Sequence, residues 1–160
     1  MDERWLPDLG PRGEGWVAIQ AVIFVVIALG GLAGPAWDGS ARAVTTVVGV
    51  AGLIAGNALA VRGFLDLGPN LTLLPRPRVG TRLVEDGAYG LVRHPIYGGL
   101  IIGATGWGLL TASPASLAGA AILFAFFDAK SRREEMWLRE AVDGYAGYSR
   151  QRRRLIPFVY

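Results

Sequence analysis

Residues Gly87 to Gly99 read GAYGLVRHPIYGG and contain the only histidine of the chain, His94. A guanidinium (Arg93) precedes that imidazole, and phenols at Tyr89 and Tyr97 flank it. Farther on, Lys130-Ser-Arg-Arg133-Glu134-Glu135 places three cations and two carboxylates within six residues, and Tyr145 and Tyr148 follow. Such groups suit a zwitterionic or polyol ligand. Carboxylates accept from hydroxyls or an amine, cations bind a carboxylate, and phenol rings lie against a flat base or a cation. His94 and Glu135 are the candidate general bases. Taken singly, each group also has a plain alternative. Arg93 and His94 at a helix start can meet lipid phosphates, and Glu135 with Arg139 can form a surface i,i+4 ion pair. Glu134 and Glu135, as sequence neighbours, point about 100° apart on a helix and need not act together.

The elements that position these residues are apolar. Of 160 residues, 52% are hydrophobic and 18% charged, against roughly a quarter charged in soluble domains. A single domain of this size cannot bury so much apolar surface, so a bilayer is the expected solvent. The absence of cysteine excludes disulfides, thiolate metal sites and a cysteine nucleophile. With one histidine, no multi-histidine metal site forms within the chain, and no metal is expected. The net charge is +3. The basic residues sit beside apolar runs, which fits anionic headgroups rather than nucleic acid.

In chain order, Met1 to Gly15 is a polar tail without the basic n-region of a signal peptide, and Trp5 with Leu6 is a weak candidate for an interfacial contact. Trp16 to Ala36 has the length of a span, with Trp16 and Trp37 expected in the aromatic belts at its ends. A second helix is expected over 43–67, where Gly49, Gly52 and Gly56 allow close packing and Arg62 can snorkel to headgroups. Residues 68–92 form a loop, since Pro69, Pro75 and Pro77 forbid a long helix. Its Asn70-Leu71-Thr72 sequon is discounted because the loop is placed in the cytosol. Ile96 to Thr111 and Ala115 to Phe127 read as a helical hairpin, its second arm continuing into the charged stretch 128–142. Leu155-Ile156-Pro157-Phe158 is expected to tuck back against the bilayer.

Both basic regions, 76–93 and 130–154, belong in the cytosol by the positive-inside rule. The expected fold class is therefore an all-α integral membrane protein of about four transmembrane helices. It is one domain over 1–160, with spans near 16–36, 43–67, 96–111 and 115–130, a cytosolic loop 68–95 and a cytosolic tail 131–160. Both termini lie in the cytosol, and the cytoplasmic membrane is the expected location. The His94 stretch and Glu134 then share one face, at the two ends of one hairpin. Gly106-Trp107-Gly108 lies inside an apolar helix, so a dinucleotide-type glycine loop is not supported.

Leu83-Val84-x-x-Gly87-x-Tyr89, Arg93-His94-Pro95-x-Tyr97-x-Gly99, Glu134-Glu135-x-x-Leu138, Tyr145-x-x-Tyr148 and Ile156-Pro157 occur in that order. Together they resemble the isoprenylcysteine carboxyl methyltransferase and phospholipid methyltransferase superfamily of integral-membrane enzymes, over the C-terminal half of the chain. The resemblance implies S-adenosyl-L-methionine as cofactor, held by Thr81, Arg82, Leu83, Val84, Tyr89, Arg93, His94, Pro95, Ile96, Tyr97 and Glu134. It implies a lipidic substrate near Lys130 and Arg133. In the carboxyl methyltransferases the cation four residues before the glutamate is arginine; here it is Lys130, which offers no bidentate fork. The acceptor is thus left as a carboxylate or an amine on a membrane-partitioned molecule. Membrane lipids, and no nucleic acid, are the expected partners. Two competing readings are a non-catalytic four-helix membrane scaffold and an NADPH-dependent reductase of the sterol-reductase kind.

Overall fold

A computed structural model describes residues 7–33, 35–72 and 74–160. Trp5, Leu6 and the Gly34 half of the first turn lie outside them. The helices are α1 (Glu14–Gly31), α2 (Gly39–Leu67), α3 (Pro95–Leu110), α4 (Pro114–Ala141) and α5 (Tyr145–Gln151). Short 3-10 turns occupy Gly68–Asn70 and Gly87–Gly90. The described residues contain no strand, only one parallel bridge between Val92 and Arg153.

α1 and α2 are long and apolar enough to cross a membrane, with mean hydropathy of 1.8 and 1.9 over their best windows. Their apolar side chains face outward rather than into a core: Val22 is 62% exposed, Val47 70% and Ile54 67%. α3 is a shorter apolar helix, and α4 changes midway from apolar to charged. These features make the chain an all-α membrane protein. α1 ends five residues before Ala36, and α2 begins at Gly39 rather than residue 43. α4 runs unbroken to Ala141, so Phe127, Lys130 and Glu134 lie along one helix.

The helices form a row in which α2 packs on α3, α3 on α4 and α4 on α1. The α2–α3 seam is glycine-made. A Cβ on Gly56 would stand 2.5 Å from the Gly103 nitrogen and the Gly99 carbonyl, and one on Gly106 would stand 2.7 Å from the Gly49 carbonyl. Only hydrogens fit there, so the backbones approach directly. The core behind α3 and α4 is Leu123, Phe127 and Ile101 together with Ile27 of α1. Trp16 is covered by the protein rather than facing outward as a belt residue would. It is 4% exposed, with its ring 5.5 Å from Phe126.

The turn of the hairpin is capped. Ser113 Oγ accepts the Ser116 amide at 3.1 Å and donates to the Gly30 carbonyl at 2.8 Å, which ties α1 to the hairpin. Pro114 at the first position of α4 and Pro95 at that of α3 need no amide partner there. At the other end, the loop is pinned by reciprocal bonds of 3.2 Å between the Asn70 side chain and the Arg82 backbone. Asp66 accepts the Ala88 amide at 2.8 Å. The C-terminal segment returns to the bundle, where Leu155 is fully buried in the core while Phe158 stays exposed.

Candidate functional site

The site forms where the N-terminus of α3 meets the charged half of α4. Backbone geometry sets it first. The Arg93 and His94 amides donate to the Arg153 and Arg154 carbonyls at 2.9 and 3.0 Å, so the tail lies along the entrance to α3. His94 is then the N-cap residue of α3, and Tyr97 lies one turn on. Lys130 and Glu134, four apart, share one face of α4, while Glu135 points to the side.

His94 sits between the two carboxylates. Its Nε2 is 3.1 Å from Glu135 Oε1, and its Nδ1 is 3.8 Å from Glu134 Oε2. Tyr97 donates to Glu134 Oε2 at 2.8 Å. The His94 and Tyr97 rings stack, with centroids 5.4 Å apart and planes 4° from parallel, and Phe127 also stacks on Tyr97, at 4.5 Å. The imidazole thus lies between the adjacent glutamates, within hydrogen-bond distance of Glu135 and in a longer contact with Glu134.

Glu135 is 1% exposed and meets Arg93 at 2.9 Å, Arg154 at 3.3 Å and Arg139 at 3.4 Å besides His94. Burial alone would push its carboxyl up. The hydrogen bond from His94 and the charges of His94, Arg93 and Arg154 outweigh it, so the group is held below the ordinary carboxylate range. The surface ion-pair alternative for Glu135 and Arg139 is thereby corrected. So is the alternative that Arg93 and His94 merely meet lipid phosphates, since Arg93 is bound to Glu135 and His94 is 7% exposed.

A cavity of about 220 Å³ opens beside this network. Of the residues expected to hold a cofactor, Thr81, Arg82, Leu83, Val84, Tyr89, Arg93, His94, Ile96, Tyr97 and Glu134 line it, and so does Lys130. Three expected residues stand elsewhere. Pro95 is buried behind the wall, where its ring abuts Gly63. Glu135 lies in the ion network. Arg133 is paired with Asp8 and stacks over Trp137 at 4.6 Å.

Gln20, Asn70, Tyr145 and Tyr148 add polar groups to the lining. Gln20 had no marker in the sequence beyond being polar within an apolar helix. Its Oε1 accepts from Lys130 Nζ at 2.6 Å. That ammonium is 2% exposed and also lies over the Tyr97 ring at 5.0 Å. Tyr148 donates to the Tyr89 carbonyl at 2.7 Å. Two buried donors on the wall, the Tyr145 hydroxyl and Arg93 Nε, have no protein partner. Burial, reinforced by Glu135 and Glu134, pushes the Tyr145 phenol far above its ordinary range, so it stays a neutral donor. The wall thus combines unspent donors, a carboxylate acceptor and aromatic faces. That donor set fits a ligand such as S-adenosylmethionine, which carries an amino acid, a ribose and a base.

Known proteins align with the same segment. The family model for phospholipid methyltransferases matches residues 44–142. The cobalt-zinc-cadmium resistance protein CzcN of Cupriavidus metallidurans is 36% identical over 81 residues, covering 50% of this chain and 38% of that protein. Protein-S-isoprenylcysteine O-methyltransferase B of Arabidopsis thaliana is 29% identical over 115 residues, 69% of this chain and 58% of that one. A probable protein-S-isoprenylcysteine O-methyltransferase of Oryza sativa subsp. indica is 32% identical over 80 residues, 49% and 42% respectively. The chain spans between 38% and 58% of the length of these relatives. The family match begins after Gln20 and ends before Tyr145 and Arg154, but it contains most of α2, all of α3 and α4, and with them His94, Glu134 and Glu135. On that match, the chain belongs to the phospholipid methyltransferase family.

Proposed function

We propose that this protein is an S-adenosylmethionine-dependent methyltransferase of the membrane, acting on a lipidic acceptor. The observation that carries the reading is the cavity wall where His94, Tyr97, Glu134, Lys130 and Tyr145 converge at the end of an apolar hairpin. Within it, Glu134 would accept from the cofactor's ammonium, Tyr145 and Arg93 would supply the unspent donors, and Tyr89 would offer an aromatic face. S-adenosylmethionine held there would supply a methyl group made electrophilic by its sulfonium, with a neutral thioether as the leaving group. The chain's own work is to align that methyl with the acceptor and keep water out. Tyr97, stacked on both His94 and Phe127, holds Glu134 through its hydroxyl.

Lys130 carries the acceptor end. Its ammonium touches the Gln20 amide and aromatic faces, with the Glu134 carboxylate one turn away on the same face, so a carboxylate acceptor would meet a cation there. A carboxylate needs no base. An amine must first give up a proton, and His94 is the cavity-lining group able to take it. Glu135, tied to three arginines, acts as a positioning group for His94.

For the arrangement in the bilayer we infer four crossings in one domain, with the loop 68–95 and the tail on the cytosolic side. Single cysteines at Ser40 and Arg150, both exposed, should label from opposite sides of a sealed vesicle; same-side labelling overturns the arrangement. The function is tested by titrating detergent-purified protein with S-adenosylmethionine, S-adenosylhomocysteine and NADPH in a calorimeter. Binding of the two adenosyl ligands is expected. Folded protein that takes only NADPH, or none of the three, refutes the methyltransferase reading. Transfer of a labelled methyl group into a membrane lipid extract then identifies the acceptor.

A further inference from the structure

Lys130 is the only lysine in the chain; apart from His94, every other basic side chain is arginine. The residue is 2% exposed and stands one helical turn before Glu134, on the same face of α4. A lysine and a glutamate four apart on a helix ordinarily attract each other, the more strongly where little water screens them. Here they stay apart. Among the described residues no ion pair links the two, and the ammonium donates instead to Gln20 of α1 at 2.6 Å. It also lies over the Tyr97 ring at 5.0 Å and the Phe127 ring at 5.7 Å. Glu134 meanwhile takes the Tyr97 hydroxyl at 2.8 Å.

α1 is fixed on either side of Gln20. Trp16, Gln20 and Phe24 recur every four residues and so share one face of α1. Trp16 packs on Phe126 at 5.5 Å, and Phe24 on Phe127 at 6.5 Å. Aromatic contacts with α4 thus bracket the amide one turn away in each direction. An ammonium only donates, so the amide must turn its oxygen to it. Lysine suits this arrangement. Its compact ammonium on a flexible stem follows one acceptor, whereas the five-donor fork of an arginine has bonds enough for amide and carboxylate together.

We propose that Gln20 is a positioning residue: it draws the Lys130 ammonium to the α1 side of the cavity and so keeps Glu134 from pairing with it. The carboxylate is then left for the cofactor's ammonium, and the cation for the acceptor. The proposal rests on the methyltransferase reading. Gln20 precedes residue 44, where the family match begins, so this control over the two charges comes from outside the matched segment.

The test is a double-mutant cycle on the full chain in detergent, read by calorimetric titration with S-adenosylhomocysteine, which keeps the amino acid of the cofactor. The four proteins are the wild type, Gln20→Leu, Lys130→Met and the double variant. Losing the amide leaves a buried ammonium without its acceptor, and Glu134 is the carboxylate within its reach. Gln20→Leu should therefore bind about tenfold more weakly. In Lys130→Met there is no ammonium to turn, so adding Gln20→Leu should change affinity by no more than about twofold. Gln20→Met replaces Gln20→Leu if the latter loses its cooperative thermal transition. An equal or greater loss in the Lys130→Met background would make Gln20 a packing or ligand-contact residue and overturns the proposal. Wild-type affinity in Gln20→Leu overturns it as well. In both cases the wild type still binds, and the positioning role falls alone. Folded wild-type protein that binds neither adenosyl ligand refutes the methyltransferase reading, and the role of Gln20 with it.

Discussion

Glu134 and Glu135 are chemically identical neighbours with different duties. Glu134 stands on the cavity wall with one phenol donor and a more distant imidazole. Glu135 is buried among Arg93, Arg139, Arg154 and His94. Removing the charge at Glu134 leaves its shape and costs a ligand contact. Glu134→Gln should weaken S-adenosylhomocysteine binding about 10- to 100-fold, the worth of a hydrogen bond to a charged group, with little change in thermal stability. Glu135→Gln leaves several buried cations short of their counter-ion, so its loss should appear in stability, at about 3–5 kcal/mol. Calorimetric titration and thermal unfolding of both variants check the pair; equal binding loss with equal stability would refute the division. The sign of the pH effect follows from Glu135. Its carboxyl is held below the ordinary value of 4.5 by His94, Arg93 and Arg154. That contribution is present above the unfolded value and is lost as pH falls through the lower folded value. Unfolding temperature should therefore drop as pH is taken below about 4.5, and drop less in Glu135→Gln.

At the scale of helices, the seam between α2 and α3 decides whether the site assembles, because α3 carries His94 and Tyr97. Gly56→Ala would force a methyl into the Gly103 nitrogen and the Gly99 carbonyl, both backbone atoms that cannot rotate away. Separating the helices should cost about 1–3 kcal/mol, the range for overpacking, while Gly103→Ala, whose Cβ would meet nothing within 4 Å, should cost far less. Unfolding in a denaturant series measures both. The sequence made this seam legible, since Gly49, Gly52 and Gly56 on one helix and Gly99, Gly103 and Gly106 on the other fall at packing intervals. It did not separate Gly103 from its neighbours, since a glycine that packs and a glycine that faces open space look alike until the facing backbone is placed. The hairpin and the continuation of α4 to Ala141 were equally legible, from an apolar run bounded by Ser113-Pro114 that turns amphipathic without a breaker. Trp16 was misread for a related reason: a tryptophan at the end of an apolar run has the pattern of a belt residue, and only the α1–α4 packing against Phe126 shows it inside.

Across the whole molecule, the cavity draws on distant parts of the chain: Gln20 near one end, the loop, α3, α4, and Tyr145 and Tyr148 near the other. The order of the motifs showed that the last four belong together. The role of Gln20 was hidden, because a lone amide in an apolar helix carries no spacing signal and its partner, Lys130, is 110 residues away. Leu155 to Phe158 were expected against the bilayer, yet Leu155 is buried in the core, and Arg154 just before it holds the site from behind. Arg154 reaches Asp128 at 2.9 Å and Glu135 at 3.3 Å, and its carbonyl takes the His94 amide at 3.0 Å. Arg154→Met keeps the stem and the backbone bond but removes both ion pairs. Glu135 then loses one of its cations and His94 loses part of what fixes its partner, while the helices keep their seams. The variant should retain its helical circular dichroism and bind S-adenosylhomocysteine about tenfold more weakly, the equivalent of 1.4 kcal/mol. The loss should be recovered in part by Arg154→Lys, which restores charge without the fork. Unchanged affinity in Arg154→Met would show that the tail only covers the bundle and has no part in shaping the site.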